Sequence, residues 1–473
     1  MSDRKKRNSR RSSLSNAGAH HRSHVTQARL LAWEILQLVV RDNMYVHDAA
    51  HRIFDRTSYP ETERSFALLL AAGVVSTKGI LDATLDTILS HPHDVDSRVR
   101  DALRISSYEL LFLDKNSYAA VDQGVELVRS IAPRATGVAN FVLRRVVKQA
   151  EQSLGDLLGH ISDDALAQAF GFPDWIVGLL LDQKGRTWTE RYLRQANQSA
   201  PLYFFVNSAR VQTDAVLTSL AHHDIDVVSV SPLLTNAQTS MTVLPTFQFR
   251  KRKAIQHPLV QGLLENCALV ISDLSAQTIA SLALPQSKPN SFLEIGAGRG
   301  IKTIMLQVGA YLRYGSFMKL DSVEINKQKI AIAQEQLKKA QIPQVHHWAC
   351  DAQDLSEFAD KSYDAVFIDA PCSGLGTLRR HPEIRWRLQP EDSDALHLLN
   401  TTILQCAAQK VAPQGQLTYA TCTVTKEENQ AVIDAFLASS VGAQFMVETL
   451  FETPLVSDGP DIHFACVLRR HSA

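Results

Sequence analysis

Apolar residues recur at helical spacing through the first third of the chain. The first such segment places six apolar side chains on one face of a helix, namely Leu30, Leu31, Ile35, Leu36, Val39 and Val40. Similar segments run over 64–75, 80–89, 99–113, 119–131 and 138–148, and Pro, Gly, Asp or Ser residues separate them. The pattern predicts an all-α bundle over residues 25–150. Such a bundle is most often an interaction domain, and its periodicity assigns no chemistry.

The pattern changes after residue 160. A helix start at Pro173-Asp174-Trp175 and a short apolar strand at 202–206 indicate a small mixed α/β region over 160–288. From 289 to 473, strand-like segments alternate with helical ones, and the strand-like segments are 291–295, 322–325, 365–368 and 416–421. This alternation predicts a doubly wound, Rossmann-like, largely parallel sheet, in which ligands bind at the carboxyl ends of the strands.

Composition and charge agree with a multidomain globular protein. The chain has 473 residues, of which 45% are hydrophobic and 21% charged, and its formal net charge is zero. The longest apolar run, 66–75, is ten residues, fewer than the ~20 that a membrane-spanning helix needs, so we predict no transmembrane segment. Residues 1–24 carry seven Lys or Arg against one acid, which predicts a disordered basic tail that either contacts RNA or only solvates the chain.

The six cysteines, at positions 267, 350, 372, 406, 422 and 466, include no Cys-x-x-Cys pair, and no histidine has zinc-ligand spacing. The sequence therefore predicts neither a metal site nor a disulfide framework. A reducing cytoplasm is the simplest setting for such isolated thiols.

A glycine-rich turn, Glu294-Ile-Gly-Ala-Gly-Arg-Gly300, follows the first strand of the predicted parallel sheet, and a helix is expected from about Lys302. Glycines let the backbone approach a ligand at a helix N-terminus, but the turn alone fits a dinucleotide, S-adenosylmethionine or no ligand. Glu324 ends the second strand, where a carboxylate can accept ribose hydroxyls, and Asp351 would follow the third. Together these acids favour a nucleoside cofactor.

Two thiols follow the next two strands. Cys372 lies in the turn Asp369-Ala-Pro-Cys-Ser-Gly374, and Cys422 follows the strand at 416–421. A lone cysteine is usually a small buried hydrophobe. Since both thiols would face one crevice beside the cofactor turn, a nucleophilic role becomes the better interpretation. The other four cysteines are interpreted as core thiols.

The chain resembles a known family at these motifs. The segments Asp369-Ala-Pro-Cys-Ser-Gly-Leu-Gly-Thr-Leu-Arg-Arg-His-Pro-Glu-Ile-Arg-Trp386 and Tyr419-Ala-Thr-Cys-Thr423, with Glu427-Glu-Asn429, resemble those of the RsmB-type (Sun) bacterial ribosomal RNA cytosine-5 methyltransferases. Residues 118–127 and 140–145 resemble the NusB-like helical RNA-binding domain of that family. The resemblance covers nearly all of residues 25–470.

The resemblance implies S-adenosylmethionine as cofactor and C5 of a cytosine in 16S ribosomal RNA as the target. Cys422 takes the nucleophile position and Cys372 the position that resolves the covalent intermediate, with Asp369 beside both ligands. The turn would hold the methionine part of the cofactor through Gly296, Ala297, Gly298, Arg299, Gly300, Ile301 and Lys302; Glu324 would hold the ribose and Asp351 the adenine. Contacts with RNA are expected from Arg379, Arg380 and Arg385. The expected enzyme is cytoplasmic, monomeric and free of metal.

The chain departs from the family in places, at Phe205, at Ser272 and above all at the cofactor turn. Most members have Asp-x-Cys-Ala-Ala-Pro-Gly-Gly-Lys-Thr at the cofactor turn, whereas this chain has Glu294-Ile-Gly-Ala-Gly-Arg-Gly-Ile-Lys-Thr303. The altered turn and the helical bundle leave open a second hypothesis, a non-enzymatic RNA-binding or antitermination-like factor. Transfer RNA is the alternative substrate, although the Arg-Arg-His-Pro-Glu-Ile-Arg-Trp segment favours ribosomal RNA.

Overall fold

The computed structural model describes residues 25–56, 58–113, 116–153, 162–231, 233 and 244–472. The chain divides into two compact units, Met1–Ile161 and Ser162–Ala473. The basic tail predicted for residues 1–24 lies outside the described residues.

The described part of the first unit is a helical bundle, as its apolar periodicity predicts. Buried aliphatic side chains join α1 to α3, α3 to α4, and α5 to both α4 and α6. The helices are α1 (Gln27–Arg41), α2 (Val46–Phe54), α3 (Glu61–Ile88), α4 (Ser97–Phe112), α5 (Ser117–Ile131) and α6 (Thr136–Ser153).

Helix α3 corrects one prediction. The sequence predicts two helices, at 64–75 and 80–89, but the structure has one continuous helix of 28 residues. The hydroxyls of Ser76 and Thr77 donate to the carbonyls of Ala72 and Gly73, four residues earlier, so these polar residues stay within the helix instead of ending it. In length and apolar composition α3 could also cross a membrane, but its buried residues pack against α1 and α4 as in the core of a soluble bundle.

The second unit begins with helices and a four-stranded antiparallel sheet of order β2-β3-β1-β4, counted over its described residues. Phe204 of the central strand stacks on Phe249 with ring centroids 4.4 Å apart. The elements are α7 (Leu166–Phe170), α8 (Asp174–Lys184), α9 (Arg186–Ala196), β1 (Leu202–Val206), α10 (Thr213–His222), β2 (Val227–Val230), β3 (Thr246–Phe249), α11 (Pro258–Glu265), β4 (Leu269–Ile271) and α12 (Leu274–Ala283).

A seven-stranded sheet follows, of order β10-β11-β9-β8-β5-β6-β7. Strands β5 to β9 pair in parallel, which confirms the predicted Rossmann-like fold, and the terminal β10 and β11, which the pattern did not reveal, pair antiparallel. The elements are β5 (Phe292–Ile295), α13 (Ile301–Tyr314), β6 (Leu320–Val323), α14 (Lys327–Lys339), β7 (Val345–Trp348), β8 (Tyr363–Asp369), α15 (Ile384–Arg387), α16 (Asp392–Lys410), β9 (Val411–Thr421), α17 (Gln430–Leu437), β10 (Phe445–Glu452) and β11 (Phe464–Arg470).

The strand order fixes the place of the site. From β5 the chain runs outward through β6 and β7, then returns to the other side of β5 as β8 and β9. A crevice opens at such a reversal, outside the carboxyl ends of the strands. Two apolar clusters cover the two faces of the sheet and hold these ends in register. The turn after β5 and the loops after β8 and β9 therefore meet.

Candidate active site

The two thiols predicted to share a crevice lie in contact. Cys372, three residues after β8, and Cys422, directly after β9, have Sγ atoms 3.2 Å apart and both thiols are free. The backbone N–H of Cys422 donates to the Sγ of Cys372 over 3.3 Å. Contact with the Cys422 thiol, burial, and the charges of Cys422 and Glu428 together raise the pKa of Cys372, outweighing the backbone hydrogen bond that lowers it.

Backbone hydrogen bonds hold the two thiol loops, residues 370–380 and 422–429, against each other. The N–H of Ala370 donates to the carbonyl of Ala420, and that of Gly376 to the carbonyl of Cys422, each over 2.9 Å. Gly376 cannot be replaced without displacement, because a Cβ there would lie 1.9 Å from the carbonyl oxygen of Ile462. The spacing of the thiols is therefore set by main-chain geometry.

Glu428 lies buried between the same two loops. Its Oε2 accepts the backbone N–H of Ser373 over 2.6 Å, and its Oε1 accepts the hydroxyls of Thr425, over 2.8 Å, and Thr423, over 3.4 Å. Burial raises the pKa of Glu428, while these hydrogen bonds oppose the rise. The sequence motif contained Glu428 but gave it no role, since only the tertiary structure shows what the carboxylate contacts.

Lys302 joins the cofactor turn to the thiol loops. Its Nζ lies 2.7 Å from Asp369 Oδ2 at the end of β8. Burial opposes the charge of Lys302, but Asp369 and the thiols of Cys422 and Cys372 outweigh it and raise the pKa of the lysine. The sequence assigned Lys302 to the cofactor turn alone, whereas the structure also places its ammonium group beside the thiol pair.

The cofactor turn has the conformation that its glycines predict. Gly296, Gly298 and Gly300 all have positive φ, and Gly300 is the N-cap of α13. A Cβ at Gly296 would lie 2.3 Å from the carbonyl oxygen of Asp369, so β5 and β8 approach each other closely here. The N–H of Gly298 donates to Glu324 Oε2 over 2.9 Å, which fixes the predicted ribose-binding acid against the turn.

The surroundings of this turn fit a nucleoside ligand. A Cβ at Gly298 would meet open space. Ile325, next to Glu324, is 67% exposed although it is apolar, as expected of a side chain that a flat base could cover. Asp351 is exposed two residues before Gln353, whose backbone N–H donates to it over 2.9 Å.

Glu294 differs from the other two predicted acids because it lies inside β5 and is completely buried. Its Oε2 accepts the hydroxyl of Thr303 over 2.7 Å, and its Oε1 has no hydrogen-bond partner among the described residues. Burial, with a further contribution from Asp369, raises the pKa of Glu294 to about 7, against the opposing effects of Thr303 and Lys302.

The three arginines expected to contact RNA all have partners within the protein, and one of them is buried; the RNA contact of Arg379 and Arg380 stays a prediction. Arg385 is completely buried, stacks over the ring of Phe172 at 4.0 Å and donates to Asn197 Oδ1 over 2.8 Å. Burial lowers the pKa of Arg385 to about 10. An interior guanidinium cannot meet a phosphate, so this prediction is corrected.

The other two arginines tie separate segments together. Arg380 bridges Asp461, over 2.6 Å, and Asp273, over 3.0 Å. Arg379 donates to the carbonyls of Gly459 and Ser199, each over 2.7 Å. Both guanidinium groups are thus engaged with protein atoms, and the charged run that suggested phosphate binding stabilises the loop after Cys372.

No group of three or more His, Cys, Asp or Glu side chains that could hold a metal ion occurs in the described part of the chain. The side chains described above at the site are two thiols, carboxylates and one ammonium group.

Comparison with family models agrees with this geometry. A model of the 16S rRNA methyltransferase RsmB/F family matches residues 281–459, and a NusB family model matches residues 26–148. By these matches the chain carries an RsmB/F-type methyltransferase domain and a NusB-type domain. The family implies S-adenosylmethionine as methyl donor.

Relatives align with this chain along most of its length. It is 28% identical to the probable ribosomal RNA small subunit methyltransferase B of Synechocystis sp., over 87% of this chain and 89% of that one. It is 26% identical to the ribosomal RNA small subunit methyltransferase B of Salmonella typhi, over 86% and 89%.

Solved structures share the fold. The crystal structure of PH0851 has a TM-score of 0.73 at 19% identity and covers 94% of this chain and 98% of its own. That of NSun6 from Pyrococcus horikoshii with SFG has a TM-score of 0.52 at 13% identity and covers 64% and 99%.

Proposed function

We propose that the protein transfers a methyl group from S-adenosylmethionine to C5 of one cytosine in small-subunit ribosomal RNA, through a covalent bond between Cys422 and C6 of the base. The contact of two free thiols at the carboxyl ends of neighbouring parallel strands is the observation that carries the proposal. The matched family and the names of the relatives support ribosomal RNA as the substrate.

The chemistry requires a nucleophile, because C5 of cytosine is too electron-poor to take a methyl group directly. The Cys422 thiolate adds to C6, and the electron pair of the C5–C6 bond becomes available at C5. Bound S-adenosylmethionine supplies the electrophilic methyl group. A base then removes the C5 proton, the double bond re-forms, and Cys422 leaves with the electrons of its bond to C6.

The surrounding residues have tasks that follow from their positions. Asp369 lies at the end of β8, where its carboxyl group could meet the pyrimidine edge, and Lys302 holds it in place. Cys372 lies close enough to Cys422 to take part in its release. Glu324 and Asp351 would hold the ribose and adenine of the cofactor, and Gly296 to Lys302 its methionine part. The base must be unstacked to reach the thiols.

Replacement of the nucleophile tests the proposal. We expect Cys422→Ala to lower methyl transfer to small-subunit ribosomal RNA at least ~10³-fold, because the variant lacks the sulfur that bonds to C6. The matched control is Cys267→Ala, which removes a buried thiol that bonds Gln336 of α14. Retained turnover in Cys422→Ala would exclude the mechanism.

Two further measurements separate the alternatives. Calorimetry with S-adenosylmethionine distinguishes an enzyme from a non-enzymatic RNA-binding factor, which would give no binding heat. Bisulfite sequencing of total RNA from cells that lack the protein identifies the substrate, since one cytosine of small-subunit ribosomal RNA should lose its mark. Loss of a mark in transfer RNA instead would correct the substrate. The cytoplasmic setting and the monomeric state remain predictions.

A further inference from the structure

The proposed function gives two chemically identical groups different tasks. Cys422 must attack as a thiolate, while Cys372 acts only at release, yet their sulfur atoms are 3.2 Å apart. Two thiolates at that distance would repel each other, so the pair keeps one proton whenever one of its sulfurs is a thiolate. The surroundings of the pair must decide which sulfur carries that proton.

Two charged groups act on the pair. The ammonium group of Lys302 interacts with both sulfurs and so favours a thiolate on either of them. The carboxylate of Glu428 bonds most closely to the backbone N–H next to Cys372, over 2.6 Å, and its nearest contact next to Cys422 is a hydroxyl at 3.4 Å. Its charge raises the pKa of Cys372, after the larger effects of the Cys422 contact and burial. A negative charge beside Cys372 favours the thiolate on Cys422.

Glu428 is held firmly enough to have this effect. Its carboxylate is completely buried, and its closest hydrogen bond comes from the backbone N–H of Ser373, the residue directly after Cys372. Hydroxyl donors from Thr423 and Thr425 on the loop of Cys422 fix the other oxygen. Three donors and no acceptor suit an ionised carboxylate, and the buried position leaves its field little screened by water.

The other titratable groups around the pair do not reverse this polarity. Asp369 is paired with Lys302 and thus partly neutralised. Tyr419 of β9 is buried, which together with the charge of Cys372 raises its pKa and keeps the phenol neutral. The one interaction in the opposite sense is the backbone N–H of Cys422, which donates to Cys372 and lowers its pKa.

We propose that Glu428 is a positioning residue that keeps the proton of the thiol pair on Cys372 and so leaves Cys422 as the attacking thiolate. The proposal rests on the proposed function and names the residue that makes its two thiols unequal. Glu428 transfers no atom itself; it acts through the location of one proton.

The wild-type protein provides the first test. Both thiols are alkylated with iodoacetamide between pH 6 and 9, and the peptides that contain Cys372 and Cys422 are quantified by mass spectrometry. Since the thiolate is the reacting form, we expect Cys422 to react faster than Cys372, by about tenfold at pH 7. A faster reaction of Cys372 would overturn the proposal without any variant.

A matched pair of variants provides the second test. Glu428→Gln removes the charge of the side chain and keeps its shape. Glu427→Gln is the control, because the Glu427 carboxylate accepts hydrogen bonds from Gln183 and not from the partners of Glu428. We expect Glu428→Gln to raise the rate of Cys372 relative to Cys422 at least about threefold, because a tenfold rise accompanies each unit by which a thiol pKa falls. Glu427→Gln should leave the ratio unchanged.

The measurements distinguish an effect of the Glu428 charge on the thiols from a purely structural role of this residue. An unchanged ratio in Glu428→Gln, with a melting temperature like that of the wild type, contradicts the proposal. If Glu428→Gln does not fold, the wild-type order of reactivity still decides. Alkylation needs neither RNA nor S-adenosylmethionine, so its result is independent of whether Cys422→Ala abolishes methyl transfer. In the methyl-transfer assay Glu428→Gln should lower kcat and leave KM for RNA nearly unchanged.

Discussion

The cofactor turn and the thiol loops form two sides of one crevice, but they are built differently. The turn from Gly296 to Gly300 is shaped by positive-φ glycines and backbone N–H groups, as in the bond from Gly298 to Glu324. The thiol loops depend on particular side chains, such as Glu428, which receives donors from both loops. The turn therefore depends on where its glycines stand, and the thiol loops depend on the identity of their side chains, so substitutions on the two sides should act differently.

The largest expected change is a loss of turnover on the thiol side, when Cys372 is replaced. Cys372→Ser should lower turnover on the order of 10²- to 10³-fold, because addition proceeds but release stalls. Denaturing gel electrophoresis should show a shifted band in which RNA stays bound to the protein. Cys350→Ser, which changes a thiol after β7, should show no such band. Normal turnover of Cys372→Ser without a shifted band would show that Cys372 has no role in release.

The next effect concerns the support of the thiol loops. Arg380→Met should lower the free energy of unfolding by about 3 kcal/mol, because it leaves the buried carboxylates of Asp461 and Asp273 without their shared counter-ion. Urea unfolding measures this loss. Since Arg380 is engaged with protein atoms, the salt dependence of RNA binding by the folded variant should stay that of the wild type. A clearly shallower slope would restore Arg380 as a phosphate contact.

On the turn side, Glu294 predicts a pH-dependent stability. The pKa of Glu294 in the folded protein, about 7, exceeds its ordinary value of 4.5. Its favourable contribution to the free energy of unfolding is therefore complete below pH 4.5 and is lost as the pH rises through 7. Glu294→Gln abolishes this loss. The variant should therefore gain up to about 3 kcal/mol relative to the wild type between pH 4.5 and 8. Thermal unfolding at several pH values checks this, and a constant difference would contradict it.

The smallest effect compares two glycines of the turn. Both have positive φ, but a Cβ at Gly296 would lie 2.3 Å from a carbonyl oxygen, whereas one at Gly298 would meet nothing within 4 Å. Gly296→Ala should therefore be less stable than Gly298→Ala by about 2 kcal/mol, since backbone strain is common to both and the clash is not. Equal stabilities in urea would show that β5 and β8 separate easily.

The sequence predicted the fold well where the pattern depends on local structure. Parallel strands at 292–295 and 363–369 lie where the apolar runs place them. Helices α1, α3, α4, α5 and α6 begin within a few residues of predicted starts, whereas α2 was not predicted. The division of α3 into two helices was wrong, because hydroxyl groups that often end helices can also bond back to the preceding turn. Strands β10 and β11 were missed, since their antiparallel pairing has no signal in an alternating strand and helix pattern.

The site shows the same division between local and tertiary information. By itself, the sequence determined that Cys372, Cys422 and a glycine-rich turn follow successive strands, and parallel strands bring their carboxyl ends to one edge whatever the details of packing. Only the tertiary structure decided that Lys302 pairs with Asp369, that Arg385 is interior and that Glu428 lies between the thiol loops. A charged residue looks the same in the sequence whether it is exposed or buried, because its burial depends on segments that lie far apart in the chain.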